Sequence, residues 1–194
     1  MVQNIIIFAS GSGSNAVNTC NYFANHATIK VRALFCNNPK AGVIAKMEAL
    51  NIPVILFNRA DFNNENWIEN KLQGFEPSLI CLLGFLWKIP AHLVQAYPHK
   101  ILNLHPALLP KFGGKGMYGQ FVHEAVKAAN ETESGITLHW VNDHYDEGGI
   151  IAQYKFRIEP NDSAQNIGEK VHTLEQEHVP KVIEKVLEEI SAQH

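Results

Sequence analysis

Only three cysteines, Cys20, Cys36 and Cys81, occur in the 194 residues. They are odd in number and widely spaced, and no C-x-x-C pair exists, so neither a disulfide framework nor a zinc ribbon is indicated. Each lies in or beside an apolar run and reads as a small buried hydrophobe of a reduced, cytoplasmic protein. Long apolar runs are also missing. No stretch approaches the roughly 20 residues needed to span a bilayer. Met1-Val2-Gln3-Asn4-Ile5 has no basic n-region, so no signal peptide and no membrane partner are expected. Charge of one sign is lacking too: 16 basic residues face 19 acidic ones, for a net charge of -3. That gives no electrostatic reason to expect nucleic acid or an anionic surface as a partner. Internal repeats, low-complexity tracts and linkers are absent. What is there, 46% hydrophobic and 18% charged residues, is the make-up of an ordinary globular protein. The length suits one domain, 1–194, with one sizeable core.

The apolar pattern alternates between strands and helices. Ile5-Ile6-Ile7-Phe8-Ala9 is a short continuous apolar run, as in a strand covered on both faces. Ser10-Gly11-Ser12-Gly13-Ser14-Asn15 follows, then a helical spacing of Ala16, Val17, Cys20, Phe23 and Ala24, the opening of a βαβ unit. Further strands are expected at 31–36, 53–57, 78–83 and 101–105. Helices are expected at 41–50, at 62–72, and from Pro90, as a first-turn proline, to about Ala96. This is an α/β, Rossmann-like, mostly parallel sheet with helices on both faces. Pro106 to Gly119 is a long loop of the kind that often carries function, and a helix over 120–129 follows it. Strands at 136–141 and 150–156 are joined by too short a loop for a crossover, so they are antiparallel and the sheet is mixed at one edge. Asp162 with Gln165 resembles a capping box. It opens a long C-terminal helix with Ile167, Val171, Leu174, Val182, Ile183, Val186 and Ile190 on one stripe, which Pro180 should kink or interrupt.

Four stretches could carry chemistry. In Ile101-Leu102-Asn103-Leu104-His105-Pro106, alternation puts Asn103 and His105 on one face at the end of an apolar strand. Two polar groups there are costly unless used, although a satisfied strand end is the plainer reading. Small residues in Ser10–Asn15 let backbone N–H groups approach an anion at a helix start. The loop lacks the Walker A lysine and fits G-x-G-x-x-A only loosely. No acid stands near Cys36-Asn37-Asn38, so a small phosphomonoester is a better guess than a dinucleotide, with an unliganded turn as the alternative. Asn142-Asp143-His144-Tyr145-Asp146-Glu147-Gly148-Gly149 is either a solvated hairpin loop or the source of an acid for His105. A carboxylate beside an imidazole raises its pKa and holds it as imidazolium, a donor for a developing oxyanion. Glu175 lies on the inward stripe of the last helix, where it either reaches an edge or faces a polar cavity. His105, His139, His144 and Asp146 could converge on a metal, but no pair has the spacing of H-E-x-x-H. His139 reads better as a hydrogen-bonded strand residue, and no metal is expected.

Ser14-Asn15 after Gly13, Asn103-Leu104-His105-Pro106 with Leu108-Leu109-Pro110-Lys111, and Asp146 before Gly148-Gly149 resemble the folate-dependent formyltransferases. The likeness runs over nearly the whole chain and is nearest to the glycinamide ribonucleotide branch. It implies a phosphate-binding half over 1–100 and a catalytic, folate-binding half over 101–194. It further implies transfer of a formyl group from 10-formyltetrahydrofolate to the amine of glycinamide ribonucleotide in purine synthesis. Motif by motif, it makes Asn103 and His105 the oxyanion donors and Asp146 the partner of His105. Gly13, Ser14 and Asn15 would hold the substrate phosphate, with Glu175 and His172 near its glycinamide end or ribose. Leu86, Trp87, Lys88 and Ile89, with Asn142, Asp143, His144, Tyr145 and Asp146, would line the pterin pocket. The chain departs from the family at Trp87, where an arginine is common, and near Glu65, where a folate-contacting arginine is expected.

Three rivals remain. A formyltetrahydrofolate deformylase would pass formyl to water with the same three residues, but usually carries a further N-terminal domain. A methionyl-tRNA formyltransferase would need a C-terminal domain and a basic surface. A non-catalytic nucleotide-binding module would leave the polar strand end unexplained. The oligomeric state is open, a homodimer included.

Overall fold

The computed structural model describes residues 2–192; Met1, Gln193 and His194, the ends of the single domain expected over 1–194, lie outside the described residues. Strands β1 (Gln3–Ala9), β2 (Ile29–Cys36), β3 (Val54–Leu56), β4 (Leu79–Leu82), β5 (Ile101–His105), β6 (Glu133–Trp140) and β7 (Ile150–Arg157) form one sheet in the order β3-β2-β1-β4-β5-β6-β7. The first five run parallel, β6 pairs antiparallel with both β5 and β7, and the expected mixed edge is there. Helices α1 (Ser14–Phe23), α2 (Val43–Ala49), α3 (Arg59–Asn63), α4 (Glu65–Gln73), α5 (Ala91–Ala96), α6 (Gln120–Ala128) and α7 (Ala164–Ala192) complete the chain.

The continuous apolar run of β1 is covered on both faces. Ile5, Ile7 and Ala9 pack with Ala16 and Cys20 of α1, Val43 and Met47 of α2 and Val182, Ile183 and Val186 of α7. Ile6 and Phe8 face the other way, onto Phe62, Ile68, Leu72 and Leu93 from α3, α4 and α5. Phe8 stacks on Phe35 at 5.0 Å and meets Phe85 edge-on at 5.3 Å. An aromatic cluster of this sort buries more apolar area per residue than the aliphatic face opposite. The three cysteines are buried and reduced. Burial pushes the Cys20 thiol up to about 12 and raises the Cys81 thiol as well, so both behave as hydrophobes.

Several local expectations need correction. The single helix expected over 62–72 is two. Asn58 and Asp61 form a capping box for α3, and the Asn64 side chain accepts from the Trp67 N–H to start α4. Pro90 is the N-cap of α5, in extended conformation, rather than its first helical residue. The box that opens α7 is Ser163 with Asn166, one residue on from Asp162 and Gln165. Asp162 instead accepts from the Glu159 N–H and pairs with Lys170. α7 continues through Pro180, which is buried. Packing of an apolar stripe along that whole helix outweighs the one backbone bond that proline removes. Among the described residues no helix is long and apolar enough to cross a membrane.

Candidate active site

A cavity of about 730 Å³ opens at the C-terminal ends of β1, β4 and β5. That is where ligands of open α/β sheets bind, because loops diverge there at the change of strand order. At one end stands the loop between β1 and α1. Gly13 takes φ +75°, and a side chain on it would meet Val43 Cγ2 at 2.2 Å, so α2 can close against the loop only at a glycine. Gly13 and Ser14 line the cavity with Gly11, Ser12 and Asn15. The Asn15 side chain is committed to α7: its Nδ2 donates to Glu175 Oε2 at 2.9 Å, and its Oδ1 accepts from Gln176 Nε2 at 2.9 Å. Burial raises the Glu175 pKa, and the Asn15 amide and His172 offset this only in part. His172 Nδ1 is 3.6 Å from Glu175, yet His172 is exposed and does not line the cavity. One helical turn separates the two rims of the α7 stripe, and His172 falls on the wet one.

The other end is built by β5, β6 and the loop after β6. Asn103 and His105 share the face expected of them; Asn103 is half-buried and His105 is 3% exposed. The antiparallel register sets His139 directly opposite Asn103. His139 Nδ1 lies 2.9 Å from the Trp140 carbonyl, which only accepts, so that nitrogen carries the proton and Nε2 accepts from Asn103 Nδ2 at 3.0 Å. Asp146, at φ +55°, completes the group. Its Oδ1 accepts from Asn103 Nδ2 at 3.3 Å and lies 3.5 Å from His139 Nε2. Its Oδ2 accepts from the Gly114 N–H at 2.8 Å and lies 3.6 Å from His105 Nδ1. Asn103 Nδ2, His139 Nε2 and Asp146 Oδ1 make a nearly equilateral triangle, 3.0, 3.3 and 3.5 Å on its sides. The two hydrogens of a planar amide diverge by about 120°, and set astride these two acceptors each is within hydrogen-bonding angle of one of them. One goes to His139 and the other to Asp146.

His105 Nε2 donates to the Phe112 carbonyl at 2.7 Å. Burial lowers its pKa from the ordinary 6.5; Asp146 and the Phe112 carbonyl act in the opposite sense without overcoming it, and His139 adds to the lowering. This overturns the expectation that Asp146 holds His105 as imidazolium. The acid is where it was expected, but at 3.6 Å and across a nearly dry site the loss of hydration is larger than the attraction. Burial alone raises Asp146, yet His139, His105 and the Gly114 N–H outweigh it and hold the carboxyl below its ordinary range.

Leu86, Trp87, Lys88 and Ile89 line the cavity, with Asn142, His144, Tyr145 and Asp146 opposite. Asp143 does not: it is exposed, and a solvated acid in an irregular loop has no reason to turn inward. No arginine stands near Glu65, but Arg59 of α3 lies over the Trp87 ring at 3.8 Å, so stacking brings a guanidinium to that rim. His139 is the hydrogen-bonded strand residue expected, but its place beside Asn103 was not expected, because only the β5–β6 register reveals it. Sequence reasoning missed His123 of α6, which is 6% exposed, lines the cavity and has no hydrogen-bond partner on Nδ1 among the described residues.

The family model described as formyl transferase matches residues 3–183. The chain belongs to the formyl transferase family. It is 37% identical to the phosphoribosylglycinamide formyltransferase of Bacillus subtilis, over 96% of this chain and 95% of that protein. It is 35% identical to the chloroplastic phosphoribosylglycinamide formyltransferase of Vigna unguiculata, over 96% of this chain. The chain spans 62% of the length of that protein and of its Arabidopsis thaliana counterpart. Among solved structures, glycinamide ribonucleotide transformylase 1 from Geobacillus kaustophilus superposes with a TM-score of 0.87 at 32% identity, covering 96% of this chain and all of that one. The phosphoribosylglycinamide formyltransferase of Brucella melitensis gives 0.86 at 30% identity, covering 96% of each. The formyl transferase match therefore takes in both ends of the cavity.

Proposed function

We propose that the chain transfers the formyl group of 10-formyltetrahydrofolate to the amine of glycinamide ribonucleotide, a step of de novo purine synthesis. The observation that carries this is the convergence of Asn103, His105 and Asp146 at one end of a single cavity whose other end is the Ser10–Asn15 loop. Gly13 and Ser14 offer backbone N–H groups of a helix start to the substrate phosphate. Asn15 acts through Glu175, which accepts from the hydroxyl or amide groups behind that phosphate, with His172 at its solvent edge. The pterin lies against Leu86 to Ile89 and the backbone of residues 142–146, and the anionic tail of the folate runs toward Lys88 and Arg59.

The chemistry follows from the protonation states. The amine attacks the formyl carbon, a C–N bond forms, and the carbonyl oxygen becomes an oxyanion. Asn103, which lines the cavity, donates to it through Nδ2, exchanging the longer of its two bonds, that to Asp146, and kept in aim by His139. His105, neutral because it is buried, takes the proton that the amine loses. As imidazolium it faces the Asp146 carboxylate, and it then gives the proton to N10 of the folate as the C–N10 bond breaks. No proton is gained or lost overall. Neutral His105 is thus a relay first and an oxyanion donor only once charged.

The test is turnover of purified protein with glycinamide ribonucleotide and 10-formyltetrahydrofolate. Formylated amine and free tetrahydrofolate in equal amounts are expected. Formate released without any need for the amine would favour a deformylase, and binding of both ligands without turnover would favour an inert module.

A further inference from the structure

The loop between β1 and α1 has no lysine of its own, yet one reaches it from the next helix. Lys46 of α2 places Nζ 2.9 Å from the Ser12 carbonyl. One residue earlier, the Gly11 carbonyl accepts from the Val43 N–H of the same helix at 3.1 Å. In a trans peptide the carbonyl of one residue and the N–H of the next point in opposite directions. Both carbonyls being drawn onto α2, the N–H groups of Ser12 and Gly13 are turned the other way, and both residues line the cavity. Val43 packs where a side chain on residue 13 would be, so only a glycine lets the loop lie this close to α2.

We infer that Lys46 is a positioning residue for the substrate phosphate: its ammonium group holds and polarises the Ser12–Gly13 peptide so that the Gly13 N–H meets a phosphomonoester. A P-loop sets its lysine in front of the phosphates; here the cation stands behind the peptide and acts through it. A cation on the carbonyl makes the attached N–H a stronger donor, as in a chain of hydrogen bonds that polarise one another. This inference rests on the reading of the loop as a phosphate site.

The experiment compares wild type, Lys46→Met and Lys46→Arg with glycinamide ribonucleotide and with its dephosphorylated riboside. Lys46 is exposed, and methionine keeps the helix and most of the stem, so folding is retained. Lys46→Met should raise KM for the ribonucleotide about tenfold, the scale of one charge-assisted hydrogen bond, with kcat within about twofold. The riboside should react as with wild type, and Lys46→Arg should recover most of the loss. An unchanged KM for the ribonucleotide overturns the inference. So does an equal loss on both substrates, which would mean that Lys46 only stiffens the loop. Should wild type transfer no formyl at all, the proposed reaction fails separately, and calorimetry with ribose 5-phosphate decides for Lys46. Binding about tenfold weaker in Lys46→Met supports it; equal binding, or no binding to wild type, overturns it.

Discussion

Gly148→Ala is the substitution whose effect can be worked most directly from the structure. A Cβ at residue 148 would stand 1.7 Å from the Trp140 carbonyl oxygen and 2.7 Å from its carbon. Carbon and oxygen approach to about 3.3 Å at closest in ordinary contacts, so the loop must retreat by about 1.6 Å. Asp146 is two residues away on the same loop and is held by contacts of 2.8 to 3.6 Å to Gly114, Asn103, His139 and His105. A retreat of that size breaks most of them. Misplacement by about 1 Å costs on the order of a hundredfold in rate, so kcat/KM for formyl transfer should fall at least that far. The strain costs about 1–3 kcal/mol, which leaves a domain of ordinary stability folded. Gly149→Ala is the control: its Cβ would meet only Trp140 Cδ1 at 3.9 Å, an ordinary contact, and it should keep near-wild-type activity. The assay is kcat/KM beside a thermal melt for both variants. A folded Gly148→Ala protein with wild-type kcat/KM would refute the idea that this close approach aims Asp146.

Asp146→Asn removes the charge that favours imidazolium, so the His105 pKa should fall further below 6.5. The acid limb of the kcat/KM profile should move to lower pH while the plateau drops; an unmoved limb would separate Asp146 from His105. Burial lowers both His105 and His123 below 6.5, so below that pH the unfolded chain binds more protons than the folded one and stability rises with pH. Denaturant unfolding should show stability lost progressively as pH falls from about 6.5, and His123→Gln should flatten that slope; an equal slope in the variant would contradict the assignment.

Much of this fold could be read from local pattern, and the misreadings have physical causes. β1 and β5 were legible because a continuous apolar run and an apolar strand with two polar residues at its end leave few alternatives. β6 begins three residues before the expected Ile136, since Glu133 and Ser134 look like turn residues until their pairing with Arg157 and Phe156 is known. The break between α3 and α4 turned on which of three nearby asparagines caps a helix, a choice made by the packing of Phe62 and Ile68. At the site, Asn103, His105 and Asp146 came from spacing and resemblance, and they do meet. His139 did not, because cross-strand register is a tertiary fact. The charge of His105 was misjudged for a similar reason: a neighbouring acid can be guessed from sequence, but the depth of burial that outweighs it cannot.

The most direct measurement is kcat for formyl transfer by His105→Ala, with both substrates saturating and folding checked by its melt. Loss of the relay and of an oxyanion donor should lower kcat by about two to three powers of ten. A folded variant that turns over at the wild-type rate would contradict the account.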